Sequence, residues 1–205
     1  MPRLACFDLD NTLIDRDAAF LAWARSWSAD AGLGEDAVAW LVAQDNSGFR
    51  PRAELFDGLR THFGTAPTVD QYDREHPLFT SVDAAVLHGL AELREAGWRV
   101  AVVTNGTVVQ QSLKLEHTGI AAAVDYCCVS EAVGVRKPDA RIFAIAAEGA
   151  GAALDGWMVG DHPEYDVAGG RNAGLRTILV GDRDGGPAAD YSVRSVLEAF
   201  RIMAA

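Results

Sequence analysis

Five short apolar runs separated by stretches of helical periodicity constrain this chain more than any other feature. Leu4 to Phe7, Arg99 to Val103, Tyr126 to Val129, Trp157 to Val159 and Thr177 to Val180 read as buried strands. Between them, residues recur at helical spacing: Val86, Leu87, Leu90 and Leu93, then Val109, Leu113 and Glu116, then Ile142, Phe143, Ala146 and Ala147. Parallel strands need long crossovers, so this order predicts an α/β fold, a Rossmann-like parallel sheet with helices on both faces. One stretch departs from the alternation. From about Asp15 to about Leu78 there are only helical stripes, formed by Phe20, Trp23, Ala24 and Trp27, by Val38, Leu41 and Val42, and by Leu55, Phe56, Leu59 and Phe63. A doubly wound unit needs one crossover helix there, so the excess predicts an inserted helical module at 15–78, with the α/β core built from 1–14 and 79–205.

At 205 residues, 49% apolar and 23% charged, the chain can bury a full core, which excludes intrinsic disorder. Eighteen Lys plus Arg against 29 Asp plus Glu leave a net charge of −11. That balance argues against nucleic-acid polymers and anionic membranes as partners, and any phosphorylated ligand must be drawn in by local positive charge. No apolar run approaches the roughly 18 to 20 residues of a membrane span, and no basic and apolar leader precedes Leu4. Cys6, Cys127 and Cys128 have neither zinc-ligand nor scaffold spacing and are expected to be reduced core or strand residues of a cytoplasmic protein.

The first strand runs into D-L-D-N-T, with Asp8, Asp10 and Thr12 at alternate positions, so the two carboxylates project to one side of an extended segment. Ligands of parallel α/β sheets bind beyond the carboxyl ends of the strands, which is where these residues fall. Thr104, Asn105 and Gly106 close the second strand and offer donors to an anion beside the next helix; an ordinary strand-to-helix turn is the plainer reading. Lys137 follows the third strand, with Pro138 restricting it to an extended conformation; a solvated loop lysine is the alternative. Asp161 and Asp166 follow the fourth strand, where capping and a turn would also account for them. Four strand ends converging on carboxylates, a hydroxyl and a lysine favour a functional site.

The segments D-L-D-N-T, T-N-G, R-K-P-D and G-D-x-x-x-x-D, in this order, resemble the four motifs of the haloacid dehalogenase (HAD) superfamily, over residues 1–14 and about 79–180. The helical stretch at 15–78 is similar to the family's C1-type cap, and T-N-G, the Q-Q-S-L-K-L-E-H-T-G stretch and S-E-A-V-G-V-R-K-P-D look most like its nucleotidase and sugar-phosphate phosphatase branch. The resemblance implies that Asp8 is a nucleophile forming an aspartyl-phosphate and that Asp10 protonates the leaving oxygen and then activates water. It further implies that Thr104 and Asn105, with Gly106, hold phosphoryl oxygens, that Lys137 neutralises charge, and that Asp8, the Asp10 backbone carbonyl and Asp161 ligate Mg²⁺ with Asp166 in support. His162 departs from the small hydroxylated residue often found after that Asp.

Charge alone points the same way. Asp8, Asp10, Asp161 and Asp166 bring four negative charges and Lys137 returns one. A close like-charge pair costs about 4 kcal/mol at an effective dielectric near 20, so such a cluster should bind a cation or raise a carboxyl pKa. Oxygen ligands select Mg²⁺ over zinc or copper. The expected activity is hydrolysis of a small phosphorylated metabolite. Dehalogenation is disfavoured because Asp10 supplies a proton that a halide does not need, whereas a phosphomutase would share the chemistry. A phospho-receiver module, the alternative of another class, needs neither Asp10 nor the insertion. In the insertion, Arg50 and Arg52 sit in a polar loop and are candidates for binding a second anionic group; solvated arginines are the alternative.

Overall fold

The computed structural model describes residues 2–204. The chain enters through β1 (Leu4–Phe7), whose four residues are all buried, and then crosses a helical stretch, α1 (Arg16–Asp30), α2 (Glu35–Asp45), α3 (Arg52–Phe63) and α4 (Val69–Glu75). It continues through α5 (Ala84–Glu95), β2 (Arg99–Thr104), α6 (Val108–His117), α7 (Ile120–Ala123), β3 (Tyr126–Val129), α8 (Ser130–Val133) and α9 (Arg141–Ala150). The last elements are β4 (Gly156–Gly160), a π-helical turn at Pro163–Ala168, α10 (Gly169–Asn172), β5 (Arg176–Val180), β6 (Tyr191–Val193) and α11 (Val196–Ala204).

The strands form one parallel sheet in the order β3-β2-β1-β4-β5-β6. Alternation along each strand splits the core in two. Ala5, Phe7, Val100, Val102, Trp157 and Val159 meet Leu90, Leu93 and Phe200 on one face; Leu4, Cys6, Ala101, Val103 and Met158 meet Ile142, Phe143 and Ala146 on the other. Both faces are thus covered, which is why these strands read as continuous apolar runs. The chain steps from β1 to β2 and β3 on one side, then returns to β4 on the other. The strand ends diverge at that reversal and open a crevice beside β1.

The helical stretch has its own core. Phe20, Trp23, Trp27, Val38, Leu41, Leu55, Phe56, Leu59 and Tyr72 pack together, with Tyr72 edge-on to Trp23 at 4.7 Å between ring centroids. Asp15 caps α1, accepting from Ala18 N–H at 2.9 Å.

Three sequence expectations need correction. Val42 is exposed, because the buried stripe of α2 runs through Ala37, Val38, Leu41 and Asp45. The stripe expected on α6 is the wrong face: Val109 and Glu116 are exposed, and the buried residues are Gln111, Lys114 and Leu115. Polar groups occupy that inner face because they meet polar groups of the crevice, so apolar periodicity misreads the helix. Finally, β6 lies beyond the five expected strands; its Tyr-Ser-Val sequence sits at the sheet edge with two exposed residues.

Candidate active site

The β1–β4 ladder runs one residue past β1, with Asp8 N–H donating to Val159 carbonyl at 2.9 Å. Beyond it the chain turns sharply. The Leu9 carbonyl accepts from the N–H groups of Leu13 at 3.0 Å and Ile14 at 3.2 Å, and Asn11 adopts a left-handed conformation with φ of 58°. This turn leaves Asp8 and Asp10 both lining the crevice.

Lys137 is buried, and its Nζ lies 2.6 Å from Asp8 Oδ1 and 2.6 Å from Asp166 Oδ1. Its loop is clamped by Asn105, whose Nδ2 donates to the Lys137 carbonyl at 3.0 Å and whose Oδ1 accepts from Lys137 N–H at 2.9 Å. Asp166 arrives on the π-helical turn after β4 and also accepts from His162 N–H at 2.9 Å. Gly160 has to be glycine here, because a Cβ would run into the Asp166 side chain. Asp161 pairs with Arg183 at 3.1 Å.

Carboxylate oxygens of Asp8, Asp161 and Asp166 lie within 4.8 Å of one another. Burial pushes the Asp8 carboxyl well above its usual range, and the charges of Asp166 and Asp161 add to it against the pull of Lys137. Asp161 is pushed up to about 6, first by burial and then by Asp166, with Arg183 and Lys137 opposing. Burial disfavours the Lys137 ammonium, but Asp166 and Asp8 outweigh it and raise that pKa. Three crowded carboxylate oxygens, with the proton affinity of Asp8 and Asp161 raised, suit a hard divalent cation, which relieves the repulsion that burial magnifies.

Asp10 has a different environment. Both of its oxygens lie 2.8 Å from Lys114 Nζ, and Oδ2 also accepts from Gln111 Nε2 at 3.1 Å. Burial alone would raise its pKa, but Lys114, Gln111 and the nearby charge of Arg16 leave it lowered. Gln111 Nε2 donates as well to Thr104 Oγ1 at 2.6 Å. A cavity of about 340 Å³ collects Asp8, Asp10, Thr104, Asn105, Lys137, Asp161 and Asp166 from the sheet ends. Arg16, Ser47, Gly48 and Phe49 wall it from the helical stretch, with Asn11, Arg136, His162 and Tyr165 at its margins.

The family model for haloacid dehalogenase-like hydrolases matches residues 2–174. The chain belongs to this family. It is 32% identical over 201 residues to the phosphoserine phosphatase of Thermus thermophilus, covering 90% of this chain and 79% of that protein. To the glyceraldehyde 3-phosphate phosphatase of Methanothermobacter thermautotrophicus it is 28% identical over 200 residues, covering 88% and 86%. Among solved structures, the magnesium-bound HAD-hydrolase YfnB from Bacillus subtilis superposes with a TM-score of 0.75 at 22% identity, over 100% of this chain and 99% of that one. The defluorinating L-2-haloacid dehalogenase Rha0230 superposes at 0.76 and 18% identity, over 100% and 96%. The fold is therefore common to relatives of different chemistry.

In this HAD-like hydrolase, Asp8, Thr104, Lys137, Asp161 and Asp166 come together as their strand-end positions predict. One expected site residue behaves otherwise. Gly106 does not line the cavity; its N–H donates to Ser130 Oγ at 3.1 Å. The Asp10 carboxylate stands outside the acidic cluster because Lys114 and Gln111 hold it, which leaves only its backbone carbonyl for a metal. The expected balance of four acids against one lysine must also be revised, since Lys114 and Arg183 add positive charge.

The loop arginines are turned elsewhere. Arg52 donates to Asp45 at 2.6 Å, Arg50 to Gln44, and neither lines the cavity. The same loop contributes Ser47, Gly48 and Phe49 instead, with Asn46 and Ser47 in left-handed conformations at φ of 52° and 47°. The cavity cation from this side is Arg16, buried and held by Asp45 Oδ1 at 2.8 Å and Tyr72 Oη at 3.3 Å. The sequence reading gave no site role to Arg16, nor to Gln111 and Lys114, although both lie in the Q-Q-S-L-K-L-E-H-T-G stretch. The available signal was a Lys and a Gln three residues apart on a helix that follows a strand-end Thr.

Proposed function

We propose that this HAD-like hydrolase is a Mg²⁺-dependent phosphomonoesterase acting on a small phosphorylated metabolite through an aspartyl-phosphate on Asp8. The observation that carries the reading is the pair Asp8 and Asp10, two carboxylates facing one cavity, each held by its own buried lysine. A nucleophile and an acid/base group need separate surroundings: a cation beside Asp8 would draw its raised pKa down and keep it ionised, and the negative charge of a bound phosphate would raise the pKa that Lys114 lowers at Asp10.

An oxygen of Asp8 attacks phosphorus as the bond from phosphorus to the leaving oxygen breaks, and Asp10 delivers a proton to that oxygen. A water then attacks the aspartyl-phosphate, Asp10 takes its proton, and the bond from phosphorus to Asp8 breaks to release inorganic phosphate. Thr104, whose Oγ accepts from Gln111 and so keeps its own O–H to donate, and Lys137 hold phosphoryl oxygens. Asn105 acts mainly by fixing Lys137. Asp8, Asp161, Asp166 and the Asp10 carbonyl would hold Mg²⁺, which when bound offsets the negative charge of substrate and acids.

Residues 15–78 serve as a cap over a core of 1–14 and 79–205, excluding water and shaping the leaving-group side. A cavity of about 340 Å³ supports a small metabolite over a polymer. Three free cysteines in or beside the core suit a reducing, cytoplasmic setting. Dehalogenation is the poorer reading, since Asp10 has no leaving oxygen to protonate there. A phosphomutase would give isomerised sugar phosphate in place of inorganic phosphate.

The test is a phosphate-release screen over phosphomonoesters. The full chain with Mg²⁺ should release phosphate, EDTA should abolish release, and Asp8→Asn should remove it while the fold is kept. Hydrolysis that persists in either condition refutes the mechanism.

A further inference from the structure

We propose that Lys114 is the positioning residue of the Asp10 carboxylate, and that with Gln111 it makes α6 the element that fixes the acid/base group against the phosphoryl-holding Thr104. The proposal rests on the phosphomonoesterase reading and extends it to residues outside the four motifs.

Lys114 is 1% exposed, and its single ammonium sits 2.8 Å from each Asp10 oxygen. An ammonium equidistant from both oxygens pins the plane of the carboxylate about its Cβ–Cγ bond. Gln111 takes a further position on Oδ2 at 3.1 Å. Oδ2 therefore meets two donors and Oδ1 one, so Oδ1 is the oxygen left for exchanging a proton with the leaving group and with water.

Gln111 is committed to the same task. Its amide nitrogen serves Thr104 and Asp10 at once, while its buried Oε1 has no partner among the described residues. An amide that strands its acceptor to aim both hydrogens is arranged for its donors. Gly106 makes room for it, since a Cβ there would come within 2.7 Å of Gln111 Cγ. A tie between elements is a weak explanation for Lys114, because desolvation of a buried lysine–carboxylate pair offsets most of its attraction. Leu115 on the same helix already anchors α6 in the apolar core.

The experiment uses the full chain with Mg²⁺ and compares wild type, Lys114→Met, Lys114→Arg and Gln111→Leu. Two substrates separate the steps: p-nitrophenyl phosphate, whose leaving group departs without a proton, and glycerol phosphate, whose alkoxide needs one. For Lys114→Met, kcat on glycerol phosphate should fall by about a hundredfold with KM within about threefold, the range expected when acid/base catalysis is lost. On p-nitrophenyl phosphate the rapid-quench burst of nitrophenolate should survive while the steady-state rate falls, because water activation still needs Asp10. Lys114→Arg should regain most of the rate, and Gln111→Leu should show the same split between substrates, more weakly.

The proposal is overturned if folded Lys114→Met keeps kcat on glycerol phosphate within about twofold, changes KM alone, or loses both substrates and the burst equally. If Lys114→Met does not fold, Gln111→Leu decides on the same criteria. Failure of the underlying reading is distinct: wild type releasing no phosphate from any monoester, or Asp8→Asn retaining release, ends both.

Discussion

Lys137 is in contact with Asp8 and Asp166 at 2.6 Å each, and all three side chains are buried. Removing one partner of such a group leaves uncompensated charge, which typically costs about 3 kcal/mol or more. Lys137→Met should therefore lose about that much stability to urea in EDTA and recover part of it in Mg²⁺, because a divalent cation restores the missing positive charge. Equal losses with and without Mg²⁺ would show that the acidic cluster holds no ion. The acids and Lys137 were legible in the sequence because each stands at a strand end or before a proline, where position alone says which way a side chain faces. Lys114 was not. A lysine on a helix reads as solvent-facing, and only the turn that brings Asp10 over α6 explains its burial.

At the scale of elements, β4 depends on one glycine. Gly156 opens the strand with φ of +148°, and a Cβ there would collide with the Leu4 carbonyl oxygen of β1. Gly156→Ala forces the β1–β4 pair apart or strains the backbone, and should cost about 2 kcal/mol or more, read as a lowered urea midpoint. Because that pair carries Asp8 and Asp161, activity should fall with stability; an unchanged midpoint would show that the strand yields without strain. Five of the six strands were legible, with ends within a residue, because burial on both faces makes each a continuous apolar run. The shorter elements were not. In α4 only Tyr72 is buried, and the Asp-rich sequence around it gives no stripe for periodicity to find. Its role is polar: Asp73 accepts from Gln110 Nε2 at 3.0 Å and Thr107 Oγ1 at 3.3 Å, joining α4 to α6.

The molecule as a whole has two apolar clusters on the sheet faces and a third among α1–α4, with polar groups filling the seam between the third and the others. His76 lies in that seam, where the chain returns from the helical stretch. It is fully buried, stacks on Tyr72 at 5.0 Å, and neither ring nitrogen has a hydrogen-bond partner among the described residues. Burial, then the charges of Lys114 and Arg16, hold its pKa well below the usual 6.5. An unfolded chain binds a proton at His76 as pH falls through about 6.5, while the folded chain does not, so this residue's contribution is complete above that pH and is lost below it. The slope from one such group is at most about 1.4 kcal/mol per pH unit. Asp45, lowered by Arg16 and Arg52 against burial, acts in the same direction in the acid range, whereas the raised Asp8 and Asp161 act oppositely. The histidine is therefore isolated by difference: His76→Phe keeps the stack on Tyr72 and removes the titration. Unfolding free energies of wild type and His76→Phe should differ by a constant above pH 7 and shift in favour of His76→Phe as pH falls from about 6.5 towards 5. A difference that stays flat across this range would mean that the folded seam takes up the proton as readily as the unfolded chain does.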